Sequence, residues 1–284
     1  MGNLIGIRRR IKSAKNIAQI TRAMQMVSAS KMKKAQDVAL ASRPFTDKLK
    51  EVMSHVTRSQ STRHSLTTIR PVHSILVLLV STNKGMCGGL NVNLYRGLLD
   101  FASSHPEVTL SIATIGKKAK YFVPGREVEL AAKFNDLSET PSFAETRVVA
   151  KYALDSFVSG KYDQVYLAYP KFISTLQNDI TFAELLPIQS DYDSVISTPV
   201  DYTIEPGEST LLGSLLPYQV EMSVYQTILE SRASEHSARM VAMKSASDNA
   251  KELIGNLTLD YNQARQSQVT SELLDVTTAR MAIE

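Results

Sequence analysis

The fold of this chain is decided by residues 218–284, which read YQVEMSVYQTILESRASEHSARMVAMKSASDNAKELIGNLTLDYNQARQSQVTSELLDVTTARMAIE and contain no proline and one glycine, Gly255. Proline breaks a helix interior and glycine weakens one by about 1 kcal/mol, so this composition predicts one long helix. The first 43 residues are also free of proline. We therefore expect a long helix at each end of the chain, around a compact centre.

Small and apolar residues recur through the C-terminal stretch every seven positions, in two series that lie four residues apart. The first series is Met222, Leu229, His236, Met243, Ala250, Leu257 and Ala264, and the second is Gln226, Ala233, Met240, Ser247, Ile254, Tyr261 and Gln268. A strict seven-residue repeat predicts a left-handed coiled coil. Because the seam is small and partly polar, it does not predict strong self-association. The simplest partner is the helix at the other end of the chain, packed antiparallel.

The N-terminal helix has its own apolar repeat, with steps of three and four residues. We predict its seam at Ile7, Ile11, Ala14, Ile17, Ile20, Met24 and Val27.

The same helix is strongly basic. Residues 1–50 contain twelve lysines and arginines but only two acids, Asp37 and Asp47, within a chain of net charge +4. This asymmetry predicts an acidic partner surface. A basic helix that continues into a coiled coil can also bind DNA through its phosphates, but here isoleucines interrupt the basic residues and no aromatic residue precedes Phe45. An acidic protein partner is therefore favoured over nucleic acid.

The centre of the chain alternates predicted strands with predicted helices, which favours an α/β layer with a parallel or mixed sheet. The strands are predicted at 74–81, 108–115, 165–169 and 180–186, and the helices at 91–103 and 142–158. We divide the chain into an N-terminal coiled-coil helix at 1–58, a central α/β domain at 73–187, a connecting segment at 188–208 and a C-terminal coiled-coil helix at 209–284. No apolar run is long enough to span a membrane.

A glycine-rich loop follows the first predicted strand and reads Gly85-Met86-Cys87-Gly88-Gly89-Leu90-Asn91. Such a loop can hold a phosphate, but its spacing is neither that of a dinucleotide-binding fingerprint nor that of a P-loop. We interpret it as a tight strand-to-helix turn, with nucleotide binding and partner docking as the alternatives. Cys87 is interpreted as a small turn residue rather than a nucleophile, and His236 as a packed seam residue rather than a metal ligand.

Three stretches resemble the gamma subunit of the rotary F-type ATP synthases, and the resemblance runs almost from end to end. They are ITRAMQMVSASKM at 20–32, STNKGMCGGLN at 81–91 and SEHSARMVAMKSA at 234–246, which continues through Leu257-Thr258-Leu259 and YNQARQ at 261–266. The family implies an antiparallel coiled coil with a Rossmann-like α/β domain at its foot. It also implies a non-catalytic rotor that couples transmembrane proton flow to ATP synthesis or hydrolysis on a ring of three alpha and three beta subunits.

The resemblance further implies contact residues but no cofactor, metal or catalytic residue. Contacts with the beta subunit are expected at Arg22, Met24, Lys31, Lys34, Arg265, Gln266, Thr270 and Glu272, and contacts with the membrane c-ring or the epsilon subunit at Tyr202, Glu205 and Cys87. No transit peptide and no chloroplast-type regulatory loop is recognisable. A bacterial type, bound peripherally at the cytoplasmic face of the cell membrane, is therefore expected.

One departure from the family concerns the C-terminus. Members usually end in a run of small residues, whereas this chain ends TTARMAIE (277–284), with charge and bulk at Arg280 and Glu284.

Two alternatives of other classes remain: a nucleic-acid-binding coiled coil and a small-molecule enzyme built on the α/β layer. Both leave the C-terminal seven-residue repeat unexplained.

Overall fold

The structure is a computed structural model that describes residues 2–58, 64–119, 129–188 and 207–281. Its elements are α1 (Gly2–Arg58), a 3-10 turn (Ser65–Thr67), β1 (Ser74–Val80), α2 (Leu90–Ser103), β2 (Thr109–Ile115), β3 (Glu129–Phe134), α3 (Phe143–Val158), β4 (Gln164–Phe172), β5 (Asn178–Leu186) and α4 (Glu208–Met281). The two long terminal helices predicted from proline and glycine content are confirmed. Each also contains one proline, Pro44 in α1 and Pro217 in α4.

The chain divides into two compact units, which are described separately here. The terminal unit comprises Met1–Ser28 and Arg239–Glu284, and the central unit comprises Ala29–Ala238.

The central unit contains a five-stranded sheet in the order β3-β2-β1-β4-β5. The strands β3, β2, β1 and β4 are parallel, and β5 pairs antiparallel with β4 at one edge. This mixed sheet confirms the predicted α/β layer. Strand β3 was not predicted, because its sequence ELAAKF is rich in residues of low β propensity and is weakly patterned. Pairing with β2 fixes it as a strand.

Strand β1 is buried on both faces of the sheet, as expected for a central parallel strand. Leu76, Leu78 and Val80 belong to the core that α3 and the first turns of α4 cover. Ile75 and Val77 belong to the core on the opposite face, which α2 covers. The strand therefore reads as a continuous apolar run, SILVLLV, rather than as an alternating pattern.

Within the central unit, α1 and α4 pack antiparallel. The Gln226 amide group donates to the Ala39 carbonyl at 3.4 Å and accepts from the Ser42 hydroxyl at 2.6 Å. Further along α1, Phe45 lies edge-on against Tyr218, with ring centroids 6.0 Å apart. Since positions advance along α1 as they fall back along α4, the two helices run in opposite directions, as predicted.

In the terminal unit, the seam predicted for α4 is confirmed by burial. Between Lys251 and Gln268, the residues that are partly buried are those of the seven-residue series: Ile254, Leu257, Tyr261, Ala264 and Gln268. Nearer the start of this unit, Met243, Ser247 and Ala250 are buried. The Ser247 hydroxyl donates to the Ala18 carbonyl of α1 at 3.5 Å.

The seam predicted for α1 is wrong by one residue over much of the terminal unit. The packed series is Leu4, Ile7, Ile11, Ala14, Ala18, Thr21, Gln25 and Ser28, which alternates steps of three and four. Ile17, Ile20 and Val27 are instead 50%, 59% and 55% exposed. Met24, which was also assigned to the seam, is half-buried beside it.

The shift places smaller side chains at the seam between α1 and α4. Ala14, Thr21 and Ser28 of α1 and Ser247 and Ala250 of α4 are all small and buried, and small side chains in a seam allow two helices to approach closely. The buried hydroxyls are satisfied within α1, because Thr21 donates to the Ile17 carbonyl at 2.9 Å and Ser28 donates to the Met24 carbonyl at 2.8 Å.

Candidate interaction surfaces

The one-residue shift leaves an apolar face of α1 in solvent. Ile17, Ile20 and Val27 share this face with half-buried Met24, because they recur at helical spacing. Single exposed apolar residues are ordinary, but a row of large ones on a helix whose own seam is already filled is typical of a surface that another protein covers.

The last turns of α4 are also exposed and rich in large apolar residues. Leu273, Leu274, Val276 and Met281 are each at least 60% exposed. Every residue from Val269 to Met281 is exposed. An exposed helix of this composition again indicates a covering partner.

The eight residues predicted to contact a catalytic partner are distributed over both units. In the terminal unit, Arg22, Arg265, Gln266, Thr270 and Glu272 are exposed and Met24 is half-buried, whereas in the central unit Lys34 is exposed and Lys31 is half-buried. Two of the α4 side chains are engaged by their own helix: Thr270 donates to the Gln266 carbonyl at 2.9 Å, and Glu272 accepts from Gln268 at 2.9 Å.

Lys31 has an acidic partner inside the chain, which the sequence did not indicate. Its ammonium bonds Glu139, in the segment before α3, and the same carboxylate binds Lys84 from the loop after β1. Beside this cluster, Lys33 pairs with Asp37 one turn along α1 at 2.8 Å. Two of the three clustered lysines of α1 are therefore partly neutralised by acids of the chain itself.

The hydrogen bonds from Lys31 and, second, Lys84 lower the pKa of Glu139 from 4.5 to about 2. A carboxyl group whose pKa is lowered on folding stabilises the fold above its unfolded-state pKa and loses that contribution as the pH falls through the folded value. We therefore expect the stability difference between the wild-type chain and a Glu139→Gln variant to shrink between about pH 4.5 and pH 2. The contribution is modest because the side chain is 36% exposed.

The titration of Glu139 can be followed by carboxyl carbon NMR in the intact chain. A midpoint near the ordinary value for glutamate would contradict this prediction. Glu107→Gln provides the control for the stability measurement, because it removes an exposed acid of the loop before β2 and leaves the bonds of Lys31 and Lys84 to Glu139 in place.

A buried polar cluster on α4 was not predicted as such. Arg232 bonds Glu235 at 2.8 Å, and their side chains are 3% and 5% exposed. His236 is buried beside them, in agreement with its prediction as a packed seam residue. The Nε and Nη2 atoms of Arg232 have no hydrogen-bond partner among the residues that the structure describes. The sequence alone does not distinguish this buried ion pair from one at the surface, because the seven-residue repeat does not show that this part of α4 is buried on its other faces as well.

The glycine-rich loop is closed by its own hydrogen bonds. The Asn91 amide donates to the Thr82 hydroxyl at 2.8 Å and to the Cys87 sulfur at 3.5 Å, and the Thr82 hydroxyl donates to the Lys84 carbonyl at 2.9 Å. Met86 and Gly88 have φ of 61° and 60°, the left-handed values of a tight turn. Cys87 is 3% exposed, so a partner that reached this loop would meet Met86, which is 60% exposed.

The central unit also has a polar cavity of about 360 Å³, which includes Tyr169, Lys171, Glu184 and Glu230 in its lining. Burial and, second, the Glu230 carboxylate raise the pKa of Tyr169 to about 12, so its phenol is neutral at physiological pH.

Two further observations concern ions and membranes. In the described ranges, no three histidine, cysteine or acidic side chains are grouped in a way that would hold a metal ion. The described helices also lack any segment of the length and apolarity needed to cross a lipid bilayer. Tyr202 and Glu205 lie outside the described residues.

Comparison with known proteins gives consistent matches over nearly the whole chain. The family model described as ATP synthase matches residues 3–283. The ATP synthase gamma chain of Dehalococcoides mccartyi strain CBDB1 is 44% identical over 279 residues, which cover 97% of each chain. That of Chloroflexus aurantiacus strain J-10-fl is 42% identical over 283 residues, which cover 98% of this chain and 97% of the relative.

Solved structures with a similar fold come from mitochondrial ATP synthases. A chain of the Euglena gracilis enzyme, in a structure described as OSCP/F1/c-ring, has a TM-score of 0.71 at 22% identity and covers 99% of this chain and 95% of its own. A chain of the Tetrahymena thermophila central stalk and c-ring has a TM-score of 0.59 at 26% identity, covering 80% of this chain and 99% of its own.

Proposed function

The chain belongs to the ATP synthase gamma-chain family, and from that premise we propose that it is the single central shaft within a ring of three alpha and three beta subunits. As a gamma chain it is a non-catalytic subunit of the ATP synthase rotor, which couples ion flow to ATP synthesis or hydrolysis. The observation that carries the finer proposal is the face formed by Ile17, Ile20 and Val27, which is apolar and exposed although the α1 seam beside it is already filled.

The basic side chains of α1 supply the second part of the proposal. Arg22 and Met24 in the terminal unit, and Lys31 and Lys34 in the central unit, would contact an acidic lever of the beta subunit. Arg22 and Lys34 are exposed. Exposed opposite charges give orientation and fast encounter more than affinity, which suits contacts that form and break repeatedly.

The C-terminal helix supplies a further set of contacts. Arg265, Gln266, Thr270 and Glu272 would meet a loop of the beta subunit, and all four side chains are exposed. Their polar groups are available at the surface while the seam residues Tyr261, Ala264 and Gln268 are half-buried.

The foot of the shaft would contact the epsilon subunit and the membrane c-ring. Tyr202 and Glu205 are the proposed c-ring contacts, together with the loop that contains Cys87. In that loop Met86 is the exposed side chain, so we propose that it makes the direct contact. Through these partners the chain would be held peripherally at the cytoplasmic face of a bacterial membrane.

Reconstitution with the cognate alpha and beta subunits tests this function. We expect one complex with one copy of this chain for every three alpha–beta pairs, and ATPase activity that depends on the chain. A well-folded chain that fails to associate with cognate subunits would overturn the shaft proposal. Binding to DNA with a steep dependence on salt would support the nucleic-acid alternative instead.

The exposed apolar face of α1 gives a separate prediction. Replacing Ile17, Ile20 and Val27 together with glutamine should leave the stability of the free chain nearly unchanged, because all three are at least half exposed. It should weaken assembly with alpha and beta subunits at least about tenfold, since burying one large aliphatic side chain contributes about 1.5–3 kcal/mol. Titration of the complex measures this.

A matched control uses three exposed valines of the α/β layer, Val92, Val148 and Val158, replaced together with glutamine. We expect assembly with alpha and beta subunits to be unaffected by these changes. Equal affinity for the two triple variants would mean that the α1 face is not an interface.

A further inference from the structure

Glu139 joins three separate parts of the central unit through one carboxylate. Its Oε2 atom accepts from Lys31 of α1, and its Oε1 atom accepts from Lys84 of the loop after β1. The Lys31, Lys84 and Glu139 side chains are 39%, 65% and 36% exposed. All three therefore stay within reach of a partner, and two ammonium groups on one carboxylate leave a net positive charge.

We propose that Glu139 is a positioning residue that holds the Lys31 ammonium against the α/β layer and competes for it with an acidic side chain of the catalytic subunit. The inference rests on the proposed function, in which Lys31 meets an acidic lever of the beta subunit. It adds an internal competitor for that contact, located on the chain itself.

The energies of such pairs make the competition effective. Partly exposed ion pairs contribute little net stability, because water screens the charges and two long side chains must be ordered. The internal pair and the pair with a partner are therefore of similar strength, and Lys31 can exchange between them.

An ammonium group donates up to three hydrogen bonds, so a partner carboxylate can approach before the internal bond is released. Lys84 keeps Glu139 paired after Lys31 leaves. The acid is therefore not left without a counter-charge during the exchange.

The two neighbouring lysines of α1 differ in whether an acid of the chain pairs with them. Lys33 is paired with Asp37 on α1, while Lys34 is exposed and has no ion pair among the described residues. The internal acids thus weaken the attraction of this basic segment for an acidic lever without removing it. A contact that must be broken in every turn of a rotor works best when it is not too strong.

Affinity for the cognate alpha and beta subunits, measured at several salt concentrations, tests the competition. Glu139→Gln removes the carboxylate with little change in shape, and we expect it to tighten assembly about two- to fivefold at low salt. The gain should disappear when Lys31→Gln is also present, because the effect acts through Lys31. Glu107→Gln, the same charge change at an exposed acid, should leave affinity unchanged.

A measurement on the free chain adds a readout that a merely structural role would not change. Lysine Nζ NMR should show slowed proton exchange for Lys31 in the wild-type chain, ordinary exchange in Glu139→Gln, and partial recovery in Glu139→Asp. Independent effects of Glu139→Gln and Lys31→Gln on assembly, or ordinary Lys31 exchange in the wild type, would overturn the inference while the shaft function stands. Failure of the wild-type chain to assemble would overturn both.

Discussion

Replacing Gly116 with alanine is expected to destabilise the central unit by about 2–5 kcal/mol, the sum of a backbone term and a packing term. Gly116 has φ of +98°, a conformation that L side chains rarely adopt. A Cβ atom there would lie 2.5 Å from the Ser81 carbonyl oxygen and 2.9 Å from the Ser81 hydroxyl. The obstacle is backbone, which cannot move aside as a flexible side chain can.

Backbone hydrogen bonds hold Gly116 and Ser81 in place. The Gly116 amide donates to the Phe134 carbonyl at 3.0 Å, the Ser81 amide donates to the Ile115 carbonyl at 2.8 Å, and the Ala119 amide donates to the Ser81 hydroxyl at 3.0 Å. Relieving the clash would separate the ends of β1 and β2 and break some of these bonds. The substitution therefore destabilises the centre of the sheet rather than its edge.

Urea unfolding followed by tyrosine fluorescence measures the loss, since the chain has eleven tyrosines and no tryptophan. Gly85→Ala is the matched control, because a Cβ atom there meets only the end of the Lys118 side chain, at 3.9 Å. An unfolding midpoint for Gly116→Ala equal to that of the wild type would contradict the steric argument.

Reversing the charge of Lys31, Lys33 and Lys34 to glutamate is expected to reduce ATP-driven proton pumping by the assembled enzyme at least about tenfold. Each reversal changes an attraction to an acidic lever into a repulsion, worth on the order of 1–4 kcal/mol at contact distance for effective dielectric constants between water and a protein surface. Pumping at the wild-type rate in an assembled complex would refute the charge-based contact.

Two comparison variants are needed because Glu139 and Asp37 already pair with two of these lysines within the chain. Glutamate at positions 31 and 33 would face Glu139 and Asp37, so part of the effect could arise within the chain. Glutamine at all three positions removes attraction without adding repulsion, and we expect an intermediate loss of pumping. The second comparison variant changes three lysines exposed on the α/β layer to glutamate: Lys151, Lys161 and Lys171. This variant makes the same charge change away from α1. We expect ATP hydrolysis by its complex with alpha and beta subunits to be unchanged.

Elements whose signal is local could be predicted from the sequence alone. The scarcity of proline and glycine at the two ends gave both long helices, because these residues act on the backbone where they stand. The strict seven-residue repeat gave the α4 seam, from Met222 to Gln268, for the same reason. Strand β1 was found because a short, continuous apolar run is typical of a central buried strand.

Features that depend on residues distant in sequence could not be predicted, because they arise from the packing of the folded chain. The α1 seam lies on Ala18, Thr21, Gln25 and Ser28 rather than on Ile17, Ile20, Met24 and Val27, because the face that a helix buries depends on the helix packed against it as well as on its own apolar residues. Strand β3 exists because β2 offers it hydrogen-bonding partners.

The pairing of Lys31 with Glu139 across 108 positions is of the same kind. Any of twelve basic residues in the first fifty could have met any acid, and the fold alone selected these two. Local patterns fix which elements form, whereas the face that an element buries and the partner that a charge finds are set by the packing of the whole chain.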